Sequence, residues 1–138
     1  MSIYANETDV EPLVKFISDD TNIDLFRAVL DNADSWVNAR LLSNSLSIWT
    51  SETTAKVPDL LKTAAVYYAA SDLILSLYNG EELPTQYDVY FNKAETMLSA
   101  YIMQMKEELK NTELKSKNIV RHRKSQSYNQ RMHRRPIL

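Results

Sequence analysis

Apolar residues recur at helical spacing along most of this chain, and most densely from Val57 to Gly80 (VPDLLKTAAVYYAASDLILSLYNG). On a helix, Leu60, Leu61, Ala64, Ala65, Tyr67, Tyr68, Ile74, Leu75 and Tyr78 cover about half of the circumference, interrupted by Ser71. Pro58 suits a first helical turn, where its missing N–H falls among donors that have no intrahelical partner. Asp59 sets a negative charge against the helix dipole, and Asn79-Gly80 offers residues that tolerate a left-handed cap. The pattern predicts the central helix of a small bundle, with Leu61, Ala64, Tyr68 and Leu75 as core positions. On the opposite face Val66, Ala69, Leu73 and Leu77 form a second apolar stripe among Asp59, Lys62, Asp72 and Ser76. A helix with a half-apolar outer face meets a second neighbour, so this stripe is a candidate subunit interface.

The flanking segments continue the helical theme. Thr8-Asp9-Val10-Glu11 has the form of a capping box, opening a short helix through Leu13, Phe16 and Ile17, with Pro12 at its edge. After a turn cluster at Ser18–Asn22, Ile23, Phe26, Leu30, Ala33, Val37 and Leu41 keep a spacing of three to four, with Trp36 beside the stripe. Ser43–Lys56 is rich in Ser and Thr and reads as a loop with a short extended, hairpin-like piece. Leu46, Ile48 and Trp49 are its apolar members. Trp49 is either an anchor tucked onto the core or an exposed partner contact.

The last stripe, Tyr87, Phe91, Ala94, Leu98, Tyr101, Met105 and Leu109, fails beyond Leu109, where the residues turn polar. A helix from Pro84 to Lys117 would be on the order of 50 Å long and project beyond the body. The expectation is an all-α fold: a four-helix bundle with helices near 8–18, 23–43, 58–79 and 85–117. Residues 1–110 form the body, and residues 111–138 form a projecting helix end and an extended basic tail.

Charge sharpens that division. Through Leu114 there are eight basic and eighteen acidic residues, a balance of −10. From Lys115 to Leu138 there are eight basic and no acidic residues, which returns the chain to its net −2. An acidic body with a basic tail points to a polyanion or an acidic protein surface as the tail's partner. Ile119–Leu138 shows no helical or strand period and should be disordered alone, ordering when a partner receives Tyr128, Met132, Ile137 and Leu138.

Other chemistry is sparse. The chain has no cysteine, which excludes disulfides and thiolate metal sites, and shows no apolar run near the roughly 20 residues of a membrane span. No basic region followed by an apolar core opens the sequence, so no secretory signal is expected. One glycine leaves no phosphate-cradling loop. His122 and His133 both lie in the tail, away from the carboxylates, so neither a catalytic triad nor a metal site is expected. Asp19-Asp20, Asp31 with Asp34, and Glu81-Glu82 read as caps, a solvated helix face and a turn. Neither an enzyme nor a cofactor is expected. Arg121, Arg123, Lys124, Arg131, Arg134 and Arg135, with Tyr128 among them, suit a phosphate backbone as well as an acidic protein, which keeps a small nucleic-acid-binding module open as an alternative. The acidic body repels such a backbone at long range and favours a protein partner.

Taken together, Tyr4-Ala5-Asn6 with Asp9-Val10, the helix bearing Ala33, Val37 and Leu41, the opening Val57-Pro58-Asp59-Leu60-Leu61-Lys62-Thr63-Ala64-Ala65, and the last helix with Phe91, Ala94-Glu95 and Leu98 resemble a known family. The resemblance covers roughly residues 4 to 105 and is to the head-to-tail connector, or adaptor, proteins of tailed viruses. It implies a virion protein of the neck, assembled in the host cytoplasm and located at the capsid's portal vertex. Commonly twelve subunits would form a homo-oligomeric ring beneath the portal protein, extending a channel through which DNA passes without sequence readout. The ring would also offer a docking surface to a stopper or tail protein, with no membrane involved. The portal-binding residues implied are Lys115, Lys117, Arg121, Arg123, Lys124, Tyr128, Arg131, Met132, Arg134, Arg135, Ile137 and Leu138. Val66, Ala69, Leu73 and Leu77 would meet the next subunit, and Leu46, Ile48 and Trp49 would form the tail-side docking loop. The long basic tail departs from the family pattern and leaves DNA or the capsid shell as further contacts.

Overall fold

The computed structural model describes residues 2–15, 23–50, 56–77 and 84–134, leaving aside the side chains of residue 23 and residues 115–134. Among the described residues all regular structure is helical: α1 (Glu7–Val14), α2 (Ile23–Ser43), α3 (Asp59–Leu77) and α4 (Thr85–Arg134), with no strand. The expected hairpin-like piece is absent from the described part of the loop, and residues 51–55 lie outside the description. The chain divides into two compact units, Met1–Met103 and Gln104–Leu138. The division falls before residue 110 because burial ends sooner than the apolar stripe. Tyr101 and Ile102 are buried, Met105 is half-buried and Leu109 is exposed.

Within the first unit, α3 packs against both α1 and α2. Ala33, Ala64, Ala65, Ala69 and Ala70 are buried, and such small side chains let helix backbones approach closely. Leu41, Leu61, Leu73, Ile74, Leu98, Val10, Val14, Val29 and Val37 fill the remaining volume. α3 buries residues around nearly its whole circumference, which explains why it passes a length-and-composition test for a membrane span, contrary to the sequence expectation. Its apolarity is answered by its neighbours in the fold. The polar break at Ser71 is buried, and its Oγ donates to the Tyr68 carbonyl at 2.7 Å.

Two core assignments on α3 change. Leu75 is exposed (48%), because the face carrying Leu61 and Ala64 is covered over the first turns and opens in the last, at Leu75 and Ser76. Tyr68 is half-buried rather than internal.

Helix ends follow local rules. The N-cap of α1 is Asn6, with extended backbone and no side-chain cap bond, so the capping box expected from Thr8 is not made and Thr8 lies inside the helix. Pro12 also sits inside α1, two residues before its end; Phe16 and Ile17 lie outside the described residues. α2 ends in a Schellman arrangement: Leu46 N–H donates to Leu41 O at 2.9 Å and Ser45 N–H to Leu42 O at 3.0 Å. Ser45 takes the left-handed position (φ 58°) that glycine ordinarily fills, and Leu46 turns in onto the core.

The backbone of residues 119–134 belongs to α4, where sequence periodicity suggests no regular structure. Helicity there is a matter of propensity: the run holds Lys, Arg, Gln and Met, with neither Pro nor Gly before Pro136.

Candidate docking surfaces

The loop expected to dock a partner is tied down from below. Asp34 on α2 is buried, and its carboxylate accepts from Ser2 Oγ (3.0 Å), Ile3 N–H (2.8 Å) and Tyr4 N–H (3.1 Å). The N-terminal strap is thereby strung along α2, and Tyr4 enters the core. The Tyr4 hydroxyl donates to Asn38 Oδ1 at 2.5 Å and accepts from the Trp49 backbone N–H at 3.2 Å. Burial pushes the Tyr4 phenol above its ordinary value; the Trp49 bond opposes this, and Asp34 and Tyr101 add to it. Asp34 is therefore no member of a solvated helix face but the anchor of a strap, which sequence reasoning missed. The signal was its phase: Leu30, Asp34, Val37 and Leu41 form one stripe.

Of the loop's three apolar residues, Leu46 is buried by the helix cap and is withdrawn as a docking residue. Ile48 is exposed and Trp49 half-buried, with Leu42 also exposed on the last turn of α2.

An aromatic seam joins α4 to the rest of the first unit. Trp36 of α2 stacks on Tyr68 of α3, with centroids 4.3 Å apart and planes within 10°. Tyr68 meets Phe91 at 6.4 Å, and Phe91 stacks with Tyr87 at 6.2 Å. On the neighbouring flank Tyr67 meets Tyr90 at 5.6 Å, and Lys93 lies over the Tyr67 ring at 4.5 Å. All six rings are half-buried. Polar ties fix the arrangement: Tyr90 Oη–H donates to Leu13 O at the end of α1 (3.1 Å), and Arg40 of α2 pairs with Glu95 of α4 (2.7 Å). Asn32 donates to Asp72 across α2 and α3 at 3.2 Å. Burial raises the Tyr68 phenol first, with Asp72, Tyr87 and Glu95 adding to it. Burial likewise raises Tyr90 first, with Tyr67 adding and Lys93 opposing.

The stripe assigned to a subunit interface does not stand free. Ala69 and Leu73 are fully buried within the chain, while Val66 lines a shallow groove with Asp9, Leu13, Lys62, Thr63 and Tyr67 between α1 and α3. Leu77 is half-buried. α1 is one neighbour for that face, so Ala69 and Leu73 are core residues rather than ring contacts. A larger open groove of about 580 Å³ is lined by Ser2, Ala5, Asn6, Glu7, Thr8, Arg27, Leu30 and Asp31.

The side chains of Lys115, Lys117, Arg121, Arg123, Lys124, Tyr128, Arg131, Met132 and Arg134 lie outside the description, as do Arg135, Ile137 and Leu138 entirely. Among the described residues no three His, Cys, Asp or Glu side chains gather to hold a metal ion. Set against known protein families, curated proteins and solved structures, the chain matches none of them.

Proposed function

We propose that this chain is a structural adaptor of a viral neck: a four-helix body that assembles into a ring, with a projecting C-terminal helix and basic arm that join a portal protein. The observation that carries this reading is where the resembling residues fall. Tyr4, Val10, Ala33, Val37, Leu41, Leu61, Ala64, Ala65, Ala94 and Leu98 are all buried within the first unit. The apolar residues that carry the resemblance thus sit together in one core, which supports a shared architecture. The arm from Lys115 supplies eight basic residues, and Tyr128, Met132, Ile137 and Leu138 supply apolar anchors for an acidic portal surface. Ile48, Trp49 and Leu42 form the face offered to a stopper or tail protein, and DNA passes through the ring without sequence readout.

The test is native mass spectrometry and electron microscopy of the chain with and without a portal protein. A ring on the portal is expected, and deletion of residues 119–138 should abolish docking. A chain that never joins a portal but binds DNA, with affinity falling steeply as salt rises, would replace this reading with the nucleic-acid-binding module.

A further inference from the structure

We propose that the aromatic seam of Trp36, Tyr68, Phe91 and Tyr87, with Asp72 and the Arg40-paired Glu95 near the Tyr68 ring and the exposed Asp88 one residue from Tyr87, is a docking surface for the arginine-rich C-terminal segment of a second copy of this chain. None of the seam's rings is fully buried, so each keeps part of its surface open to solvent. Aromatic faces edged by carboxylates match guanidinium, which stacks on a ring while its N–H groups donate to oxygen. The neighbouring Tyr67 ring already holds the Lys93 ammonium at 4.5 Å, so this region takes a cation within the chain itself.

Charge selects the occupant. Residues 1–103 carry fifteen acidic and six basic side chains, whereas residues 115–138 carry eight basic and none acidic, five of them Arg. Each copy therefore brings both halves of a complementary pair, and association of copies satisfies both at once. Residues 104–134 form one uninterrupted helical run, a stiff segment suited to reaching a neighbouring molecule. The contact does not depend on the adaptor reading. A portal surface would compete for the same arm, but the contact exists between copies alone.

The experiment mixes full-length chains of natural isotope content with full-length ¹⁵N chains and treats them with a zero-length carbodiimide cross-linker. Mass spectrometry should find light–heavy links from Lys115, Lys117 or Lys124 to Asp72, Asp88 or Glu95. Sedimentation should give at least twice the 15.9 kDa chain mass at ~0.05 M salt, falling toward a single chain at ~1 M. Two full-length variants, D72N with D88N, and R121Q, R123Q, R131Q, R134Q and R135Q together, should each cut the light–heavy links at least several-fold while keeping helical circular dichroism. Links confined to chains of one isotope, links to other carboxylates only, or a mass indifferent to salt and to both variants would overturn the proposal. None of these failures would disturb docking to a portal, which is measured separately.

Discussion

Along α4, Ala94, Leu98, Tyr101 and Ile102 are buried, whereas Leu109 and Leu114, about two and three turns further on, are about half exposed. The first stretch is held by partners on every other helix: Tyr90 to Leu13 of α1, Glu95 to Arg40 of α2, and Phe91 to Tyr68 of α3. In residues 104–114 the side-chain hydrogen bond is local, from Thr112 Oγ1 to Glu108 O at 2.9 Å. Both stretches are helix. The difference shows that helicity and burial are separate properties of one element. Good helix formers and oppositely charged residues at helical spacing (Glu107 with Lys110, Glu113 with Lys117) maintain the backbone where no core demands it.

The sharpest way to break that comparison is a matched pair of truncations. Leu98→Ala should cost roughly 2–5 kcal/mol in urea unfolding, because a fully enclosed side chain leaves a cavity. Leu109→Ala should cost under about 0.5 kcal/mol, as for an ordinary surface position. Equal losses would mean that residue 109 finds a partner in solution.

Next in size is the strap. Asp34→Ala removes the acceptor of three hydrogen bonds and strands two backbone N–H groups, for an expected loss of roughly 2–3 kcal/mol. Asp34→Asn, which keeps one acceptor, should lose less.

Alkaline pH tests the first unit as a whole, since Tyr4, Tyr68 and Tyr90 all lie within it and all have raised pKa values. In the unfolded chain tyrosine ionises near pH 10. The folded chain holds these protons to higher pH, so their stabilisation is complete below about pH 10 and is lost as pH rises through the folded values. Unfolding free energy should fall above that point, with tyrosinate absorbance showing late-titrating phenols. Phenols that all titrate together near pH 10 would contradict the burial argument.

The smallest effect is a gain. Ser45→Gly relieves a left-handed residue at the end of α2 and should stabilise by about 0.5–1 kcal/mol, visible as a shifted urea midpoint with unchanged slope.

These positions also mark how far the sequence could be followed. The span of α2 and the starts of α3 and α4 were legible because periodicity, Pro58, Asp59 and Pro84 act locally. The phase of Asp34 in the Leu30–Leu41 stripe signalled its burial, but its three partners were hidden because they lie about thirty residues away, beyond the reach of any local rule. Ser45 carried no signal, since the turn's geometry is ordinarily announced by glycine. Leu75 and the Ala69–Leu73 pair were misplaced for one reason: a helix wheel collapses the axis. α3 is covered almost all round at mid-length, while the face carrying Leu61 and Ala64 opens in the last turn, at Leu75 and Ser76. The helical continuation past residue 119 was not legible because its polar and basic sequence carries no apolar stripe, and helix propensity alone is a weak signal.

Only two tryptophans are present, and one of them, Trp36, lies flat against Tyr68 at 4.3 Å. Two ring chromophores so close and nearly parallel couple their ultraviolet transitions, giving a near-ultraviolet dichroic signature that exists only while α2 and α3 are clasped. Far-ultraviolet dichroism reports helices whether or not they touch. The molecule thus carries a built-in optical gauge of tertiary closure, separate from its helix content.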